Sequence, residues 1–251
     1  MPRSPNRPGC RWARSNPEFG WRSTVCATPC MRVETMTQIT HHLTDDLLQA
    51  YSAGLLPEAV DLIVATHVSL CDDCRAALGA HDAVGGALLD RAGTVPVSED
   101  CLANVMTLIR SEEGGAPAVR PARRDAVLPG PLIDYAGGSL DAVKWRPVGM
   151  GVKQAVLTTQ GVATARLLYI PAGAAMPDHG HRGMELTMVL QGAFSDADGY
   201  FARGDVEIAH DDMHHTPVAD ISEDCICLAV TEAPLRFKGI LPRLAQPFLG
   251  I

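Results

Sequence analysis

The chain has 251 residues, 47% hydrophobic and 20% charged, with a formal net charge of -8. That composition allows one or two folded domains and excludes a low-complexity chain. No apolar run approaches the ~20 residues of a membrane span, and the Arg-rich N-terminus lacks the apolar core of a secretory signal. The expected compartment is therefore the cytoplasm, where closely spaced cysteines point to metal or redox chemistry rather than structural disulfides.

Charge is unevenly placed. Lys+Arg stand against Asp+Glu at 6 to 2 over residues 1–35, 3 to 12 over 36–113 and 9 to 14 over 130–251. The acidic middle segment repels nucleic acid and suits a basic partner. A zinc-dependent DNA-binding regulator is thereby disfavoured.

Residues 1–35 carry Pro, Arg, Ser and Trp without helical or strand period. They read as a disordered extension or as sequence upstream of a true start at Met36, or else Met31. From Thr44 to about Glu113 the period is helical. Thr44 caps a first helix with Asp45 and Asp46 in its first turn and Leu47, Leu48 and Tyr51 on one face, and Gly54 ends it. Pro57 suits the first position of a second helix over 57–70. A third helix is expected over 72–90, loosened by Gly85 and Gly86, and a fourth from near Ser98 with Leu102, Val105, Met106 and Ile109. Residues 114–129 have linker composition. Beyond 130, short β-rich runs recur at 143–148, 154–159, 163–170, 186–190, 206–209, 225–231 and 235–240, separated by turn signals. That spacing predicts a sandwich or barrel.

Two stretches carry chemistry. His67 and Cys71 lie four apart, on one helical face, and Cys74 follows three later. Zinc takes four such donors in a tetrahedron. His41 and His42 are the upstream candidates for the fourth, and spacing does not choose between them. The bland alternative is two reduced surface thiols and an incidental histidine.

The second stretch, Gly173 through His179, His181 and Glu185 to Gly192, fits the cupin motif G-x5-H-x-H-x3-E-x6-G. Residues two apart on a strand share a face, so His179 and His181 both point into the barrel. The second cupin motif is partly kept. Gly204 opens it and His215 holds the ligand position, while His210 and Asp212 replace the usual Pro and Gly. Neighbouring His214 would face the other way. Buried imidazoles and a carboxylate converging without an ion are costly to desolvate, so a metal is expected. Zinc suits three nitrogens and one oxygen, and iron, manganese and nickel also accept them. Cys225 and Cys227 share a face of one predicted strand. They are a candidate redox pair or, equally, two small buried apolar residues.

The helical stretch resembles the zinc-binding anti-sigma domain, whose signature is an upstream His followed by HxxxCxxC. The resemblance implies a four-helix unit that wraps an extracytoplasmic-function sigma factor, with ligands His42, His67, Cys71 and Cys74; it is the resemblance that selects His42 over His41. With the cupin, the order over about residues 36–251 resembles the ChrR-type anti-sigma factors. The strings HVSLCDDCRA, DAVGGALL, PDHGHRGMELTMVLQGAF and HTPVA carry that likeness. It implies a two-domain α plus all-β chain: a helical anti-sigma domain at 36–113, a linker at 114–129 and a zinc-loaded cupin jelly roll at 130–251. It also implies sigma-factor release on singlet oxygen or organic peroxide. The competing expectation is a cupin dioxygenase or isomerase with an accessory zinc domain, for which only Arg166 and Tyr169 stand out as substrate contacts.

Overall fold

The computed structural model describes residues 38–111, 125–180, 182–210 and 214–233, and the backbone of one strand at 236–237. The segment read as an extension, 1–35, lies outside the described residues. From Gln38 on, the described chain belongs to one compact unit.

Helix α1 (Asp45–Ser52) starts as its sequence dictates. Thr44 is extended, its hydroxyl accepts the Leu47 amide at 3.4 Å, and Leu47 and Leu48 turn inward. Gly54 takes a φ of +66°, the left-handed value that lets the chain leave the helix. Helix α2 (Glu58–Val68) starts one residue later than the sequence suggests, because Pro57 is extended and takes the N-cap position, and it ends two residues earlier. Apolar on most sides, α2 buries Ala59, Val60, Leu62, Ile63, Val64, Thr66 and His67. Helix α3 (Asp72–Arg91) runs unbroken through Gly85 and Gly86, yet Cys74 is its one buried residue. Helix α4 (Cys101–Ser111) buries none. A short α5 (Gly130–Ile133) packs against α2.

The β part comprises β1 (Arg146–Gly149), β2 (Val152–Val156), β3 (Thr164–Ile170), β4 (His179–Gly180), β5 (Glu185–Gln191), β6 (Ala193–Ser195), β7 (Tyr200–Ala202), β8 (Val206–Ala209), β9 (His214–His215), β10 (Val218–Ala219), β11 (Cys225–Thr231) and β12 (Arg236–Phe237). A six-stranded sheet runs β1-β2-β3-β11-β5-β8, and two three-stranded sheets run β10-β6-β7 and β12-β4-β9. All pairings are antiparallel.

Strand alternation divides the large sheet into two faces. Val152, Ile170, Val189, Cys225 and Cys227 face one way and pack with Phe194, Phe201 and Ala219 in the barrel interior. Ala155, Leu167, Leu186, Met188, Leu190, Ile226, Leu228 and Val230 face the other way and share a core with Leu48, Val60, Ile63 and Val64 of the helices. Helix α2 thus covers the outer face of the sheet, touching β3, β5 and β11. That is why every residue of β11 is buried, on both faces. Of the stretch read as a linker, residues 125–129 are described. The Asp125 carboxylate there accepts the amides of Val127, Leu128 and Leu140, and Leu128 is buried.

Candidate metal centres

The extended segment before α1, the last turn of α2 and the start of α3 converge. His42, His67, Cys71 and Cys74 bring their donor atoms within 4.8 Å of one another. Three separations describe the cluster: His67 Nε2 to Cys74 Sγ at 3.2 Å, Cys71 Sγ to His42 Nδ1 at 3.3 Å, and Cys74 Sγ to His42 Nδ1 at 3.6 Å. Zinc–sulfur and zinc–nitrogen bonds at a tetrahedral angle set donor atoms about 3.5 Å apart, so the set fits that ion. His41, the other upstream candidate, turns instead to the Phe201 ring and to Asp205.

Local structure prepares each donor. Cys71 is the N-cap of α3 and its sulfur accepts the Cys74 amide at 3.4 Å, which fixes the direction of the Cys71 side chain. His67 is fully buried, and its Nδ1 donates to the Gly204 carbonyl at 2.9 Å. A carbonyl only accepts, so the proton sits on Nδ1 and the Nε2 lone pair faces the sulfurs. Burial holds the His67 ring neutral by lowering its pKa. Burial also pushes the Cys74 thiol up to about 11. A metal entering here would displace a proton from that thiol.

In the barrel, His179 and His215 are register partners on β4 and β9, with Nε2 atoms 3.2 Å apart. His179 donates Nδ1–H to the Pro177 carbonyl at 2.8 Å. His215 Nδ1 lies 2.8 Å from Asp196 Oδ2 and 2.9 Å from Glu207 Oε1. Both rings therefore turn Nε2 toward the same point, an arrangement that is repulsive unless a proton or metal ion lies between them. Burial opposes charging His215, but the Glu207 hydrogen bond and charge, with Asp196 and Glu185, raise its pKa to about 9. Burial pushes Glu207 up to about 7, against the opposing pull of His215. Glu185 opens β5 and is buried, with the Thr187 hydroxyl donating to it at 3.2 Å. His181 lies outside the described residues. His214 is exposed while His215 is buried, the alternation that strand geometry requires.

Cys225 and Cys227 lie in the barrel interior with their sulfurs 3.5 Å apart. Their mutual hydrogen bond and burial push the Cys227 thiol well above its ordinary range. Arg166 is buried beside Glu185, and Tyr169 donates to Asp224.

Sequence reasoning missed Asp196, Glu207 and Asp205. Glu207 was within reach: in the strand predicted at 206–209, Val206 and Ile208 share one face, which leaves Glu207 on the other. Asp196 stood in a stretch read simply as a turn.

Comparison with known proteins gives the context. The ChrR cupin-like domain family matches residues 136–235. The anti-sigma-E factor ChrR of Cereibacter sphaeroides is 56% identical over 214 residues, which is 85% of this chain and 99% of that protein. The crystal structure of Rhodobacter sphaeroides SigE in complex with the anti-sigma ChrR superposes with a TM-score of 0.68 at 53% identity, covering 77% of this chain and 99% of that one. The chain belongs to the ChrR family of anti-sigma factors. Helices followed by a cupin barrel is the order that the sequence motifs implied, and the barrel cluster falls within the matched residues 136–235.

Proposed function

We propose that this chain binds an extracytoplasmic-function sigma factor, keeps it from RNA polymerase core, and releases it on an oxidative signal such as singlet oxygen or an organic peroxide. The observation that carries this reading is an uncovered apolar surface. On the second half of α3, Val84, Leu88 and Leu89 are exposed; on α4, so are Leu102, Val105, Met106, Leu108 and Ile109. Two successive helices that show this much apolar surface ask for a protein partner. Their acidic surroundings, 3 basic against 12 acidic residues over 36–113, suit a partner that itself binds nucleic acid.

In this reading residues 36–113 grip the sigma factor and His42, His67, Cys71 and Cys74 hold a structural zinc ion. Residues 114–129 link that unit to the cupin at 130–251, where His179, His181, Glu185 and His215 hold a second metal, zinc by family resemblance. Cys225 and Cys227 are the candidate redox pair beside it. The chain acts by binding a sigma factor in the cytoplasm, without turnover. Among the described residues no helix is long and apolar enough to cross a membrane.

Co-expression with sigma factors from the same genome, followed by metal counting on the purified complex, tests this. The expected product is a one-to-one complex with two zinc ions per chain. A chain that captures no sigma factor, or that carries iron and consumes oxygen with a substrate, would overturn the reading in favour of a cupin enzyme.

A further inference from the structure

The turn between β7 and β8 meets the Cys/His cluster at His67 and holds the segment that leads to His42. The Gly204 carbonyl accepts the Nδ1 proton of His67 at 2.9 Å, inside the protein. Next to it, Asp205 is 2% exposed. Its Oδ1 accepts the Thr40 amide at 2.7 Å and the His41 amide at 2.9 Å, and its Oδ2 accepts the Ala202 amide at 2.8 Å. The Val206 amide then donates to the His41 carbonyl at 3.2 Å. The two residues before His42 are thus clasped by a barrel carboxylate and a barrel amide.

Close packing makes this contact specific. Gly204 has a φ of +96°, and a Cβ placed on it would lie 2.6 Å from Cδ1 of Ile39. A side chain at this position would strain the backbone and force the Ile39 side chain to move. Arg203, one residue earlier, donates to the carbonyls of Leu190 and Val127, which ties the turn to β5 and to the segment before α5.

We infer that Gly204 and Asp205 are positioning residues of the Cys/His metal site, supplied by the barrel: Gly204 fixes the tautomer and direction of the His67 ring, and Asp205 fixes the segment that presents His42. A histidine ligand is commonly oriented by a carbonyl or carboxylate on its second nitrogen, and loss of such a partner typically weakens metal binding 10–100-fold. Here the partner belongs to the other half of the protein. Two residues further on, Glu207 performs the corresponding service for His215. One short piece of chain, from Ala202 to Glu207, therefore supports both clusters. A displacement of β8 at the barrel cluster would be felt at His67 and His42 without any signal passing through solvent.

The inference rests on the proposal that His42, His67, Cys71 and Cys74 hold zinc, and its test separates the two. Zinc affinity of the full chain is measured by chelator competition. Cobalt substitution reports the thiolate-bearing site through its sulfur-to-metal charge-transfer band, which the barrel set does not give. Asp205→Ala is expected to weaken zinc at that site about 10-fold or more and to shift the cobalt band. Asp205→Asn, which keeps one acceptor oxygen, is expected to fall between Asp205→Ala and the natural chain. Amide exchange of β3, β5 and β11 should stay unchanged. Affinity within twofold of the natural chain would overturn the inference. If Asp205→Ala does not fold, nitrogen-15 spectra of the natural chain decide: the His67 Nδ1 proton should be hydrogen-bonded and slow to exchange, and an unprotonated Nδ1 sinks the idea. Should the natural chain bind no zinc through its thiols, it is the zinc reading that fails, and the His67 spectrum still tests the Gly204 contact.

Discussion

The two candidate metal clusters are assembled by different means. In the barrel a sheet does the work. His179 and His215 sit opposite each other in a strand pairing, Glu185 begins β5, and Glu207 projects inward from β8. In the helical part the donors come from an extended segment, the last turn of α2, and the cap and first turn of α3. Behind them α2 is anchored in the shared core, whereas α3 buries only Cys74 and α4 buries nothing. Donors fixed by a cross-strand ladder are in place before any ion arrives. The two thiols, carried by the start of thinly packed α3, depend on the ion for their arrangement, whereas His67 and the segment before His42 are held from the barrel side. A metal should therefore complete the barrel cluster but organise the thiol half of the helical one.

The largest effect should come from removing the helical metal. Cys74→Ala leaves three donors and removes the sulfur that lies against His67 and His42. We expect faster amide exchange throughout α1 and α3, unchanged exchange in β3, β5 and β11, and loss of sigma-factor co-purification. Uniform destabilisation of helices and sheet, or retained partner binding, would break the comparison at its root.

Next in size is the uncovered surface. Leu102→Asp with Ile109→Asp changes two exposed positions on α4, so stability should move by no more than ~0.5 kcal/mol per site. Partner affinity should fall at least 10-fold, because each charge would have to be buried against an apolar counterpart. Calorimetry of unfolding beside a binding titration distinguishes the two quantities. Equal affinity would show that the sigma factor docks elsewhere.

Much of this contrast could be read from the residues. The Thr44-Asp45-Asp46 start, HxxxCxxC, and the 206–209 and 225–231 strands carry local signals that tertiary structure did not override. What local pattern leaves out is pairing at a distance. Strands of two residues such as β4, β9 and β10 have no period of their own and exist because a neighbour is there to pair with. The covering of the large sheet by α2 is a middle case. The unbroken apolar run of β11, Cys-Ile-Cys-Leu-Ala-Val, is the mark of a strand buried on both sides, but it does not say which helix provides the second cover. The Asp205 clasp was invisible for the same reason: it joins residues 164 and 165 positions apart.

The barrel cluster should respond to gentler changes. Glu207→Gln keeps size and one acceptor oxygen but removes the charge facing His215 Nδ1. The expected result is metal bound 10–100-fold more weakly in the barrel, with the sheet intact, read by competition titration at neutral pH. Unchanged affinity would mean that Asp196 alone orients His215 and that Glu207 is held there for another reason.

The smallest effect sharpens the contrast most finely. Thr44 lies two residues after His42, and its hydroxyl caps α1 at the Leu47 amide. Thr44→Ala should cost about 1 kcal/mol of local stability, as loss of a helix cap does. In the metal-loaded chain His42 pins the start of α1 from outside the helix, so little of that cost should show. In the stripped chain the cap is one of the few constraints left, and α1 amides should exchange roughly five-fold faster, the ratio that about 1 kcal/mol implies. The sheet should not register the substitution in either state. An equal response with and without metal would mean that α1 is held by its packing on the barrel core, and that the ion organises α3 alone.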